Sequence, residues 1–193
     1  TDATKHNALV DCTICSGGKY SAPTGPFTAD CAYNCPTGKY NGDDAQNDNQ
    51  HDALADCTTC AKGWYSTSTS ATSCTSCPIG RYLSDDATDA TKHNALADCT
   101  ICSGGKYSAS TRPFVADCAN NCPAGTFNND AGQNANKHDA LADCTICSAG
   151  KYSSGTGNPT GCGSCAAGRF LADSASDATL HDALADCTIC SAG

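Results

Sequence analysis

The chain has 193 residues, yet Leu, Ile, Val and Phe together number only 19, about a tenth, where roughly a fifth is needed before burial can offset the entropy of ordering the chain. A fold held by a hydrophobic core is therefore excluded, and something covalent or coordinative must take its place. The net charge is −9, every acidic residue is Asp, and no basic stripe is present, which excludes a nucleic-acid binder; no apolar run approaches the ~18 residues of a membrane span.

Taken from the start, the chain is built of copies of one stretch. Residues 2–22 and 89–109 differ at one position, Val10 against Ala97. The core of the stretch, His-x-Ala-Leu-x-Asp-Cys-Thr-x-Cys, begins at His6, His51, His93, His138 and His181. With Thr1 in place of Met and no signal peptide visible, the chain reads as a processed product or a window cut from something longer.

The 18 cysteines form nine close pairs, at 12/15, 31/35, 57/60, 74/77, 99/102, 118/122, 144/147, 162/165 and 187/190. Pairs of the Asp-Cys-Thr-x-Cys kind alternate with pairs followed by Pro-x-Gly, the fourth having Ala166 for the proline. Each pair is followed by a glycine, from Gly18 to Gly193, and then by an aromatic two residues on: Tyr20, Tyr40, Tyr65, Tyr82, Tyr107, Phe127, Tyr152 and Phe170. The glycine predicts a turn needing positive φ or a close backbone approach. The aromatic is expected to open a short extended stretch and cover the neighbouring sulfurs.

Between pairs, the segments 35→57, 77→99, 122→144 and 165→187 each enclose 21 residues, whereas 15→31, 60→74, 102→118 and 147→162 enclose 13 to 15. Constant length implies a defined conformation; variable length implies exposed, solvated hairpin tips. In the constant loop, Asp89-Ala-Thr-Lys-His93-Asn-Ala-Leu96 permits one or two helical turns capped by Asp89, with His93 and Leu96 at i,i+3. The pairs recur at offsets of 87 and then 88, the period of an array whose units touch mainly their neighbours. This divides the chain into the end of a preceding repeat (1–11), repeats at 12–56, 57–98, 99–143 and 144–186, and the start of a following repeat (187–193).

Cys-x2-Cys in tandem is a zinc signature, and the sets 57/60/74/77 and 144/147/162/165 have its spacing. That reading leaves 187/190 without partners, and Ser/Thr/Asp/Gly richness without Glu or Met suits secretion. As disulfides, the cysteines allow a serial scheme or a crossed one (12–31 with 15–35, and so on). The serial scheme joins Cys15–Cys31, Cys35–Cys57, Cys60–Cys74, Cys77–Cys99, Cys102–Cys118, Cys122–Cys144, Cys147–Cys162 and Cys165–Cys187. Cys12 and Cys190 then bond to neighbouring repeats. It is favoured because it accounts for the constant 21-residue loops, though spacing alone leaves both open. Each closed loop of ~15 residues contributes about 3 kcal/mol.

The unit Cys60-x-x-Gly-x-Tyr-Ser…Cys74-x-x-Cys77-Pro-x-Gly-x-Tyr82 resembles the cysteine-rich repeats of tumour necrosis factor receptors and of ephrin-receptor-like modules, as found in long surface or secreted proteins of microalgae and ciliates. The resemblance implies a small disulfide-rich fold: an elongated tandem-repeat rod of short β-hairpins and irregular loops with at most short helical turns. It also fits the serial pairing. The 21-residue loop departs from the compact receptor pattern.

No catalytic or metal site can be singled out. Five equivalent histidines argue for a structural duty, since an enzyme needs one asymmetric site; each is expected to bury one face and hydrogen-bond its own loop. Asp-rich pieces such as Asn41–Asp48 and Asp85–Asp86 lack EF-hand spacing, so weak Ca²⁺ binding is the most they offer, and no cofactor is expected. No Asn-x-Ser/Thr sequon is present, Pro159 spoiling the one at Asn158, which leaves Ser66, Thr67, Ser68, Thr69, Ser70, Thr24, Ser110 and Thr111 as O-glycan candidates, with prolines 23, 26, 113 and 159 open to hydroxylation. The expectation is a structural, extracellular, secreted or cell-surface protein, not an enzyme, forming a filament, coat or appendage with copies of itself or adjoining repeats. Alternatives are a receptor-like or adhesive ectodomain using Ser66–Ser73 and Trp64, and a zinc-binding array.

Overall fold

The computed structural model describes residues 13–21, 31–110 and 117–191. Within them the regular structure consists of eight antiparallel hairpins with two residues per strand and eight single 3₁₀ turns. Strands this short are marginal by themselves; each is pinned by a disulfide beside it. The chain divides into two compact units: Thr1–Ser76 with Asp85–Asp98, and Cys77–Ser84 with Cys99–Gly193.

In the first unit the hairpins pair Lys19–Tyr20 with Tyr33–Asn34, Lys39–Tyr40 with Thr58–Thr59, and Trp64–Tyr65 with Thr75–Ser76. Disulfides join Cys15 to Cys31, Cys35 to Cys57 and Cys60 to Cys74. The second unit pairs Arg81–Tyr82 with Thr100–Ile101, Lys106–Tyr107 with Asn120–Asn121, Thr126–Phe127 with Thr145–Ile146, Lys151–Tyr152 with Gly163–Ser164, and Arg169–Phe170 with Thr188–Ile189. Its disulfides join Cys77 to Cys99, Cys102 to Cys118, Cys122 to Cys144, Cys147 to Cys162 and Cys165 to Cys187. Every bonded pair has its Cα atoms 5.5–5.8 Å apart, the usual reach of the bond.

The core is sulfur. Apart from Leu83 and Leu171, the buried apolar side chains among the described residues are all cysteines, and the largest fully buried side chains are His93, His138 and His181. The aromatics are not among these fully buried side chains: seven of the eight are half-buried. Each is the second residue of its strand, Tyr20 stacks on Tyr33 across one hairpin with centroids 5.3 Å apart, and Phe170 is 47% exposed. The buried position is the next residue: Asn41, Ser66, Leu83, Ser108, Asn128, Ser153 and Leu171. Alternation along the extended backbone turns that residue inward and leaves its aromatic neighbour only partly covered.

Both properties expected of the pair-following glycines are present together. Gly38, Gly80 and Gly125 have φ of 73–79°, and a Cβ at these positions would meet the carbonyl oxygens of Ala90, Ala135 and Ala178 at 2.0, 2.3 and 1.9 Å. Within each unit, the start of one 21-residue loop thus packs against a turn of the next. Short loops do the same: a Cβ on Gly18 would lie 2.1 Å from Ser70 O, and one on Gly105 2.1 Å from Gly157 O.

The 21-residue loop is tighter than the helical turns expected of it. It holds two separate 3₁₀ turns, as at Ala90–Lys92 and Leu96–Asp98. Asp89 caps the first, accepting from Thr91 N–H. His93 ends that turn instead of continuing it toward Leu96, which lies exposed. The second turn is held by Asp98, whose carboxylate accepts from the N–H groups of Asn94 and Ala95; Asp143 does the same for Asp139 and Ala140. The acidic residue before each such cysteine is therefore a cap, and it sets where the loop delivers its sulfur.

Candidate functional site

The recurring polar site is the junction of a 21-residue loop with the preceding short-loop hairpin, and its centre is the histidine. At His93, the first 3₁₀ turn brings the ring inward, fully buried. Its Nδ1 donates to the backbone oxygen of Trp64 at 2.8 Å, and its Nε2 lies 3.2 Å from Asp85 of its own loop. Its backbone oxygen in turn accepts from Ser66 N–H at 2.8 Å. One residue thereby fastens the loop to both ends of a two-residue strand margin.

The same set repeats. His51 bonds Lys19 O and Asp43, His138 bonds Lys106 O and Asp130, and His181 bonds Lys151 O and Asp173. Ser21, Ser108 and Ser153 donate to the backbone oxygens of His51, His138 and His181 at 2.8 Å. The expectation of a histidine bonded to its own loop holds only for Nε2; Nδ1 reaches back about thirty residues, to a different disulfide loop. His6 lies outside the described residues.

The aspartates are set up by their own turns. Asp43 is held below the usual carboxylate range first by Gln46 N–H, with Asn47 N–H and His51 adding to it against partial burial. Asp130 follows the same pattern with Gln133, His138 and Asn134. At Asp85 partial burial works upward, but bonds from His93 and Lys92 outweigh it. Asp173 is lowered furthest, by the Ser176 hydroxyl, then His181 and the Ser176 N–H. At His181 burial works against the charged ring, but the Lys151 oxygen and Asp173 more than compensate and raise its pKa above 6.5. These aspartates stand eight residues before each histidine, a spacing present in the sequence that the repeat pattern alone did not mark as a pair.

Other singled-out residues fall as follows. Sixteen cysteines are disulfide-bonded, which removes the thiolates a zinc array requires. Cys190 is exposed and unbonded, and Cys12 lies outside the described residues. Among the O-glycan candidates, Thr67, Ser68, Thr69 and Ser110 are exposed and Ser70 is half-buried. Ser66 is a correction: it is buried, and its hydroxyl donates to Ser68 O, because the position after the aromatic faces inward. Thr24 and Thr111 lie outside the described residues. Trp64 contributes its backbone oxygen to the histidine junction, a structural use.

Hairpins this short, serially bridged and docked loop on hairpin, define a tandem cysteine-rich repeat protein. Residues 48–95 match the family model described as tyrosine-protein kinase ephrin type A/B receptor-like, about a quarter of the chain. That span holds the Cys60–Cys74 bridge, the Trp64–Tyr65 hairpin and the His93 junction. None of the curated proteins matches the chain.

Proposed function

We propose that this is a structural extracellular repeat protein that assembles with copies of itself or with adjoining repeats into a filament, coat or cell-surface appendage, without catalytic activity or cofactor. The observation that carries this reading is the equivalence of the four histidine junctions, each built from the same aspartate, backbone oxygen and serine N–H. Repetition without specialisation suits a material, since a catalyst needs one site unlike the rest. Reliance on disulfides suits an oxidising compartment, secreted or at the cell surface. Exposed Thr67, Ser68 and Thr69 are the better-placed acceptors for sugars. Electron microscopy and intact-mass measurement of the native material test this reading: ordered assemblies carrying hexose-sized increments are expected, and isolated, unmodified monomers would overturn it.

A receptor-like or adhesive ectodomain is the second reading, favoured by the ephrin-receptor-like match at 48–95. It requires one loop to act unlike its equivalents, and the Thr67–Thr69 tip is the place to look. Loss of partner capture on exchanging this tip for the corresponding short loop at Ser153–Gly161 would support it.

A further inference from the structure

We infer that His181 is an imidazolium ion in the folded chain, and that with Asp173 it forms a pH-operated latch fastening its 21-residue loop to the hairpin before it. The inference is independent of whether the chain is a structural or a binding protein.

Hydrogen-bond geometry at the ring carries the inference. Nδ1 of His51, His93, His138 and His181 faces a backbone carbonyl oxygen at 2.7–2.8 Å, which only accepts, so Nδ1 carries a hydrogen. Nε2 faces a carboxylate oxygen at 2.9–3.4 Å. An ionised carboxylate likewise only accepts. Three of these carboxylates already take backbone donors: Asp43 from Gln46 and Asn47, Asp130 from Gln133 and Asn134, and Asp173 from Ser176 and Asp177. Asp85 instead takes Lys92 Nζ at 3.3 Å. All four carboxylates are thereby favoured in the ionised form. At His181 two N–H groups make the ring a cation, fully buried, so its charge depends on Asp173.

The charged neighbours of each ring support this. His51 and His138 have Asp43 and Asp130; His93 has Asp85, itself shared with Lys92. His181 has Asp173, with Asp186 also favouring its charge and Asp177 nearby. The hairpin side offers the backbone oxygens of Lys19, Trp64, Lys106 and Lys151, and Lys106 directs its ammonium to Asp117. For His181 the raised pKa means that stability is fully present below about 6.5 and lost as pH rises through the folded value. For the aspartates, lowered from 3.8, it is fully present above that value and lost as pH falls through the folded one. The latch is tightest between these limits. Above them the deprotonated His181 ring nitrogen faces an acceptor, and the loop lifts off while the Cys165–Cys187 bridge holds both its ends.

Histidine-selective ¹⁵N NMR on the full chain, with His6 assigned by His6→Gln, tests this together with amide exchange. His181 is expected to carry both N–H groups at pH 6 and to titrate above 6.5, and Ser153 N–H to lose protection, relative to its intrinsic exchange rate, as pH rises through that titration. In Asp173→Asn the His181 titration moves down and Ser153 loses protection, while Ser21, Ser66 and Ser108 N–H at the other junctions keep theirs. A neutral single-tautomer His181 ring at pH 6, or a His181 titration indifferent to Asp173→Asn, would overturn the proposal.

Discussion

At the scale of residues, polar side chains here do what aliphatic ones do elsewhere. His93 joins two loops through its ring and its backbone, and no aliphatic residue could replace those contacts. His93→Ala removes the ring's donor to the Trp64 oxygen and opens a cavity where the buried ring stood, a cost of about 3 kcal/mol. Amide exchange should show the loss at Ser66 N–H, which docks on the His93 oxygen, and leave the Ser153 junction protected. Asp98→Ala is expected to be milder, about 1 kcal/mol, because Asn94 and Ala95 lose a cap at a partly exposed turn; the change in melting temperature checks the order of the two. The histidine could be read from the sequence as structural, because five equivalents cannot all be one active site. Its partners were less legible. Asp85 lies eight residues away, a distance that matches no regular helix or strand period, and Trp64 O belongs to a backbone whose approach depends on the fold.

At the scale of elements, the pair-following glycine decides how closely successive loops approach. Gly38→Ala, Gly80→Ala and Gly125→Ala each combine a left-handed φ with a Cβ inside 2.3 Å of a backbone oxygen. Left-handed strain alone costs roughly 1–2 kcal/mol, and the backbone clash adds to it. Gly168 has φ of 81° but meets no described atom within 4 Å, so Gly168→Ala should lose only the strain. Thermal unfolding of the four variants checks this: the first three should be clearly less stable than the fourth. Glycine at a fixed place was legible as a turn. The buried position beside the aromatics was harder to place, since its residue types, serine, asparagine or leucine, do not mark it. Two-residue strands leave room for one inward position, and serine, asparagine or leucine takes it after the aromatic. The 3₁₀ turns were similarly foreshadowed by Asp89, yet their brevity follows from His93 turning inward to Trp64.

At the scale of the whole molecule, stability resides in cross-links. Eight loops, with bonded cysteines 14 to 22 residues apart, are each worth about 3 kcal/mol in the chain-entropy picture, and among the described residues the apolar core is otherwise two leucines. Full reduction should abolish the β-hairpin signal in circular dichroism at room temperature, with no stable intermediate retaining the 21-residue loops. The constant loop length made serial bridging the better explanation from sequence, because a bond across that loop accounts for it. Family likeness over 48–95 was legible in the Cys-x-x-Gly-x-Tyr unit, whereas the functional role is left to the assembly and glycan measurements, since similar repeats serve coats and receptors alike.

Peptide mapping of the unreduced protein tests the serial ladder most directly. Cleavage at the many aspartates, followed by mass spectrometry, should yield cross-linked peptides joining Cys35 to Cys57, Cys77 to Cys99, Cys122 to Cys144 and Cys165 to Cys187, with the four short-loop bridges beside them. Peptides joining Cys12 to Cys31 and Cys15 to Cys35, or free thiols at these positions in metal-stripped protein, would contradict it.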